Sequence, residues 1–229
     1  MKRSQINNAL KWANQLLDKH GFKLPEYAYW TVDEWRKNKA RLDTVRAVML
    51  GWDVTDYGLD DYDNVGGVLY TIRNGDLNDK SLGALYAEKF ILLWPGQKLP
   101  THFHTMKTED IINKAGGVLW LKLYNAKNND DIDYETDVNA YMDGIRHTFK
   151  AGELVKVYPG QSITLTPRMY HTFGALEGEG DLIVGEVSSI NDDNTDNHFN
   201  PSLPRFSQVE EDEEILLPLC NEYDRILKD

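Results

Sequence analysis

The chain has 229 residues, of which 41% are hydrophobic and 27% are charged, and its formal net charge at pH 7 is −12. This length and composition exclude a wholly disordered protein, and the negative charge argues against surfaces that bind nucleic acid or anionic membranes, because both need clustered lysine and arginine. The single cysteine, Cys220, excludes an internal disulfide, and the absence of a basic-then-apolar signal segment leads us to expect a cytoplasmic protein.

The first part of the chain has the pattern of helices. Ser4 is predicted to cap a helix with apolar residues at every third or fourth position, which ends at Gly21. Thr31 and Glu34 have the spacing of a capping box and predict the start of a second, short helix. We therefore predict a mostly helical extension over residues 1–64.

From about Val65 the pattern changes to short apolar runs separated by Gly, Pro, Asn and Asp. Many short strands at close spacing predict an all-β sandwich or barrel. Residues 65–190 are predicted to form this core, and 191–229 a loop and a C-terminal helix over 215–227, all within one domain. Residues 125–137 are predicted to be a surface loop. The predicted strands are 67–73, 84–94, 117–124, 145–149, 154–157, 162–166, 171–175 and 181–187.

Four residues have the chemistry and spacing of a metal site. His102 and His104 are two residues apart, so on a strand both imidazoles project from the same face. Glu109 follows after a short turn, and His171 lies in a later strand that could return across the barrel. Three imidazoles and one carboxylate leave positions open on an octahedral ion, where substrate oxygens can bind. The pattern predicts a divalent metal ion at this point.

The same region resembles the cupin motifs. Residues 96–116 match the first motif over its full length: Gly, five residues, His-x-His, four residues, Glu, six residues and Gly. The second motif is matched at Gly160, Pro167 and His171, whereas residues 168–170 are Arg-Met-Tyr where a glycine is usual. The resemblance implies a cupin β-barrel (a jelly roll) with helical extensions at both ends.

A closer resemblance covers nearly the whole chain. Residues 50–58, 107–113, 185–193 and 205–213 resemble the D-lyxose isomerase family, whose members are manganese-dependent cupins that interconvert D-lyxose and D-xylulose, several of them also accepting D-mannose. The resemblance implies a homodimeric, Mn²⁺-dependent sugar isomerase. It also suggests substrate-binding residues, each of which could equally be structural. These residues are Trp30, Asp53, Lys89, Asp192, Asp193 and Arg205.

Two further residues are candidates for the proton transfer that aldose–ketose isomerisation requires. Glu186 interrupts an apolar run, where a carboxylate is costly unless it is paired or functional. We predict that Glu186 is the general base of a cis-enediol route between C1 and C2. Lys107, between His104 and Glu109, is predicted to protonate or steady a sugar oxyanion.

Two other functions stay open at this point. Three histidines and one glutamate also bind iron or manganese in cupin dioxygenases and oxalate-processing enzymes, so a redox enzyme is one alternative. A non-catalytic sugar-binding cupin is the other. The polar segment 191–197 is either a plain loop or a lid over the barrel.

Overall fold

The structure is a computed structural model that describes residues 1–192 and 195–228. Among the helices in these ranges, none is both long and apolar enough to cross a membrane. The helices are α1 (Arg3–Lys19), α2 (Val32–Lys37), α3 (Asp43–Ala47) and α4 (Tyr223–Ile226), with 3₁₀ turns at Glu26–Tyr29 and Lys39–Arg41. The strands are β1 (Gly51–Thr55), β2 (Gly67–Gly75), β3 (Gly83–Leu93), β4 (His102–His104), β5 (Glu109–Gly116), β6 (Leu119–Ala126), β7 (Ile132–Asp133), β8 (Val138–Met142), β9 (Ile145–Phe149), β10 (Val155–Val157), β11 (Ser162–Leu165), β12 (Met169–Ala175), β13 (Leu182–Ser188) and β14 (Asn197–Phe199).

Two antiparallel sheets form the body of the molecule. One has the strand order β1-β2-β3-β13-β5-β11-β8-β9, and the other has the order β10-β6-β12-β4-β14, with β7 paired to β6. Their apolar residues meet in one buried cluster, so the predicted all-β barrel core is confirmed. Members of this cluster from the two sheets include Leu69, Ile91, Val184, Leu121, Val157 and Phe173.

The predicted helices near the N-terminus are present, and one predicted cap is wrong. The apolar face of α1 is buried against the outer side of the larger sheet, as its spacing requires. The N-cap of α1 is Lys2, whereas the Ser4 hydroxyl donates a 2.7 Å hydrogen bond to Asp212. The predicted capping box of α2 is confirmed, since Glu34 accepts from the Thr31 amide at 2.8 Å and the Thr31 hydroxyl accepts from the Glu34 amide.

Several strands lie where the apolar pattern predicted none. β1 falls inside the segment expected to be mostly helical, and β7 falls inside the expected surface loop 125–137. β14 is a three-residue strand in a polar segment, and its backbone pairs with β4. These strands form because their backbones pair with a neighbouring strand. The apolar pattern of one segment contains no information about such pairing.

The C-terminal helix predicted over residues 215–227 is wrong except at α4. Pro218 has no amide hydrogen, and Leu219 is inserted into the apolar cluster beneath α1. The Cys220 amide donates to the Trp52 carbonyl at 2.7 Å. Backbone bonding to β1 and burial of the leucine therefore replace helical bonds along most of this segment.

The two ends of the chain are joined by a buried cation. The Arg3 side chain is fully buried and forms ion pairs with Glu211, at 2.8 Å, and with Glu222. Burial opposes the charge, but the two carboxylates outweigh that cost and raise the pKa of Arg3. Glu211 therefore pairs with α1, although 38% of its own side chain stays exposed.

Candidate metal centre and active site

The strand register brings the histidines together. β4 lies between β12 and β14 in the smaller sheet, and His102 is directly opposite His171 across the β4–β12 pair. His104 is two residues further along β4 and therefore points to the same side. Glu109 is the first residue of β5 in the facing sheet and directs its carboxylate toward the same point.

The four predicted ligands converge at the interior of the barrel. One ligand nitrogen from each of His102, His104 and His171 lies within 4.8 Å of the others, and all three rings are buried. The Glu109 Oε1 atom is 3.4 Å from His104 Nε2 and 3.3 Å from His171 Nε2. The structure thus places three imidazoles and one carboxylate around a common point.

The protonation of two rings fits a metal site. The Nδ1 atom of His102 is 2.9 Å from the Pro100 carbonyl, and that of His171 is 3.0 Å from the Met169 carbonyl. Because a carbonyl only accepts, each neutral ring has its hydrogen on Nδ1 and a lone pair on Nε2. The two Nε2 atoms are 3.1 Å apart, so two lone pairs face each other.

Such a pair of acceptors is favourable only with a cation or a proton between them. Burial, followed by the neighbouring His171 and His104, holds the pKa of His102 well below its usual range. The ring therefore stays in the neutral form that binds metals. Imidazole nitrogens with one carboxylate suit divalent transition metals, and the residues present fit such an ion.

A buried cluster of charges adjoins the histidines. The Lys107 ammonium lies 2.7 Å from Glu109 Oε2 and 2.9 Å from Glu186 Oε1, and it donates a 3.3 Å hydrogen bond to the Asn191 side chain. The Lys89 ammonium is 3.5 Å from the same oxygen of Glu186. Two cations and two anions therefore meet inside the barrel beside the candidate metal ligands.

The charges in this cluster stabilise each other. Burial alone would raise the pKa of Glu186, but Lys107 and then Lys89 outweigh it, so this pKa is lowered. Burial would lower the pKa of Lys107, but Glu109 and Glu186 outweigh it, so that pKa is raised. Glu186 is therefore an ionised carboxylate in a site that excludes most water, which is the state required of a proton acceptor.

The chain is similar to proteins of one known family. A family model described as D-lyxose isomerase matches residues 1–223. The chain is 42% identical over 224 residues to a D-lyxose/D-mannose isomerase of Escherichia coli O157:H7, covering 97% of this chain and 98% of that protein. It is also 42% identical over 228 residues to the D-lyxose/D-mannose isomerase of Serratia proteamaculans, covering 99% and 100%.

The chain belongs to the D-lyxose isomerase family. Its structure resembles that of the L-ribose isomerase of Cellulomonas parahominis, with a TM-score of 0.57 at 14% identity over 92% of this chain and 98% of that one. The Geodermatophilus obscurus L-ribose isomerase gives a TM-score of 0.50 at 16% identity, covering 82% and 99%. These likenesses show a shared fold and agree with the predicted cupin barrel.

Three of the residues predicted to bind substrate lie at or behind the cavity of this isomerase. Lys89 and Arg205 line the cavity next to the histidines. Asp53 lies behind Arg205, whose guanidinium donates to it at 2.6 Å. Lys89 and Glu186 are directly opposite each other on β3 and β13, which explains why both side chains enter the barrel.

The other predicted substrate residues are not brought to this cavity. Trp30 packs edge-on against Trp35, with ring centroids 6.3 Å apart, because both belong to a separate apolar cluster beneath α2. Asp192 accepts a 2.5 Å hydrogen bond from the Thr195 hydroxyl and lines a different cavity. Asp193 lies outside the described residues.

Sequence reasoning missed part of the lining of the isomerase cavity. Asn191 bonds Lys107, and the nearby Asp196 accepts from the Lys107 amide at 3.1 Å. Phe199 packs against His102 with ring centroids 5.3 Å apart. Asn191 and Asp196 lie in the segment 191–197, which was predicted only to be a loop or a lid. The polar composition of this segment does not indicate which of its side chains contact Lys107.

Proposed function

We propose that this protein is a divalent-metal-dependent isomerase that interconverts D-lyxose with D-xylulose and D-mannose with D-fructose. Membership of the family, together with the sugars named for its 42% identical relatives, supports an aldose–ketose isomerase. The observation that supports the chemistry best is the buried contact of Glu186 with Lys107, placed directly beside the three histidines.

His102, His104, Glu109 and His171 would bind the metal ion, which we propose is Mn²⁺. A divalent ion there would polarise the carbonyl and hydroxyl oxygens of the sugar and reduce the cost of negative charge on them. The lone pairs of His102 and His171, fixed by the backbone carbonyls behind each ring, are already directed at the common point. No rearrangement of these two rings is therefore needed.

The protein's own groups would move the proton. In a cis-enediol route, the Glu186 carboxylate removes the proton from C2 of the aldose and returns it to C1. The Lys107 ammonium, which donates to Glu186 and Glu109, lines the same cavity and would stabilise a sugar oxygen that gains negative charge. Lys89 and Arg205 line the same cavity and would orient the hydroxyls further along the sugar.

An activity assay under anaerobic conditions distinguishes this proposal from its alternatives. The chelated protein is supplied with Mn²⁺ and a panel of pentoses and hexoses, and ketose formation is followed by chromatography. Conversion of D-lyxose and D-mannose without oxygen supports the isomerase. Turnover that strictly requires oxygen would indicate a redox cupin, and sugar binding by the metal-replete protein without conversion would indicate a binding module.

We also propose a single cupin domain over residues 1–229 that forms a cytoplasmic homodimer. Strand β9 is the last strand of the larger sheet, and no other strand among the described residues pairs with its outer edge. Ile145 on β9 and Tyr141 on β8 are exposed at 65% and 48% and lie on opposite faces, so each face of this hairpin presents an exposed apolar side chain. Light scattering measures the mass in solution, and the variant Ile145→Asp is expected to reduce it from two chains to one.

A further inference from the structure

One of the three histidines differs from the other two at its outer nitrogen. His102 and His171 each direct Nδ1 at a backbone carbonyl two residues earlier in the chain. The Nδ1 atom of His104 is buried and has no hydrogen-bond partner among the residues that the structure describes. The tautomer of His104 is therefore not set by its own strand.

The group that faces this nitrogen is the carboxylate of Asp196. Its Oδ2 atom is 3.7 Å from His104 Nδ1, which is beyond hydrogen-bond length but within ion-pair range. Asp196 is itself buried, with 4% of its surface exposed. A carboxylate only accepts, so it favours the form of His104 that has hydrogen on Nδ1 and a free lone pair on Nε2.

The same carboxylate fixes the turn that leads to Lys107. Its Oδ1 atom accepts from the Met106 amide at 2.8 Å, and its Oδ2 atom accepts from the Lys107 amide at 3.1 Å. The Asp196 carbonyl accepts from the Thr105 amide at 3.2 Å. Three consecutive amides between His104 and Glu109 are thus bonded to one residue.

We propose that Asp196 is the positioning residue of this site. Through its side chain it sets the Nδ1–H tautomer of His104, and through the turn it places the Lys107 ammonium between Glu109 and Glu186. The inference rests on the proposed metal site and goes beyond it, because Asp196 is neither one of the converging ligands nor one of the residues that line the cavity.

The effect on metal binding is measured by calorimetric titration of the chelated protein with Mn²⁺. Mutation of a residue that orients a ligating histidine from behind typically weakens metal binding about 10- to 100-fold, so we expect about that loss in Asp196→Asn. The matched control is Asp56→Asn. Asp56 is 1% exposed and also fixes a turn through two amides, those of Gly58 and Asp60, but it faces no ligand histidine.

A second measurement needs no metal. Nitrogen-15 NMR of the histidine rings in the chelated protein reports which nitrogen bears hydrogen, and His104 is assigned by its loss in His104→Gln. In the absence of metal, Glu109 Oε1 lies 3.4 Å from His104 Nε2 and favours the opposite tautomer. We therefore expect a larger fraction of His104 rings with hydrogen on Nδ1 in the parent protein than in Asp196→Asn, with His102 and His171 unchanged.

The outcomes separate the two proposals. An equal fraction of His104 rings with hydrogen on Nδ1 in the parent and in Asp196→Asn, or equal Mn²⁺ affinity of the two proteins, would overturn the role of Asp196 and leave the metal site intact. Failure of both the parent and Asp56→Asn to bind Mn²⁺ would overturn the metal site, and with it the role of Asp196.

Discussion

Lys107 and Glu186 form a 2.9 Å ion pair in the interior of the barrel, where their exposed fractions are 3% and 5%. Both charges of an ion pair buried to this extent lose their favourable hydration. The pair therefore contributes little to stability unless opposite charges and hydrogen bonds compensate each member. Lys107 is satisfied by Glu109, Glu186 and Asn191, and Glu186 by two lysines. The pair therefore meets the condition for a stable buried ion pair, and its position beside the histidines supports the proposed role of Glu186 as the general base.

Replacing Glu186 with glutamine tests the general base. An amide of nearly the same shape cannot accept the substrate proton, so we expect at least a 10²- to 10⁴-fold loss of kcat, the usual contribution of general acid–base catalysis. Metal content, measured by elemental analysis, should stay at the parent level. The exposed Glu179→Gln provides the control. Retained activity in a metal-loaded Glu186→Gln variant would remove this residue from the mechanism.

Replacing Lys107 with methionine should change the pH profile as well as the rate. Among the groups that lower the pKa of Glu186, Lys107 has the largest effect. Without it the opposing effect of burial is offset less, so this pKa rises. The base form of Glu186 exists above its pKa, and activity is lost as the pH falls through that value. We therefore expect the acidic limb of residual kcat/KM in Lys107→Met to move to higher pH. An unmoved limb would mean that another group controls it.

The chelated protein should lose stability in mild acid because of its buried histidines. The pKa of His102 is lowered in the folded state by burial, whereas the unfolded chain titrates near 6.5. Below 6.5 the unfolded state binds more protons, so the free energy of unfolding decreases as the pH falls toward the folded pKa. Urea unfolding at pH 7.5 and 5.5 should show this decrease.

The variant His102→Gln isolates the contribution of that ring. Its loss of stability between pH 7.5 and 5.5 should be smaller than that of the parent. The exposed His147→Gln should behave like the parent. The same pH dependence in the parent and in His102→Gln would show that other groups are responsible.

Removing Arg3 should destabilise the whole chain. Arg3→Ala leaves Glu222 buried without its main partner, and breaking a buried pair in this way costs about 3–5 kcal/mol. Lys150→Ala, which breaks the exposed pair with Asp137, should change stability little. Thermal and urea unfolding would measure both. Equal effects of the two substitutions would contradict the assigned role of Arg3.

The convergence of the candidate metal ligands was partly predictable from the sequence, because local rules determine where most of them point. A spacing of two on a strand puts His102 and His104 on one face, and the cupin spacing locates Glu109. His171 was predictable only as a residue of a later strand, since its place opposite His102 depends on the β4–β12 register. Glu186 was indicated because a carboxylate in an apolar run needs a partner.

Other parts of the molecule depend on contacts that no local pattern contains. Asp196 and Asn191 contact Lys107 from 89 and 84 positions away, and they lie in a polar segment whose composition suits a loop. The C-terminal segment has apolar residues at helical spacing, but burial of Leu219 beneath α1 and a backbone hydrogen bond to β1 determine its non-helical form. Trp30 follows the same rule, because edge-on packing against Trp35 fixes its place.

The contact between Phe199 and His102 limits how sugar preference can be redesigned. Phe199 lines the cavity while its ring packs against the imidazole and its backbone pairs with His102 across β14 and β4. A smaller side chain at this position would enlarge the space for a longer sugar and at the same time loosen a metal ligand. Broader substrate range obtained there would thus be coupled to weaker retention of the proposed ion, whereas Arg205 lines the same cavity while pairing with Asp53 and packing over the Phe206 ring.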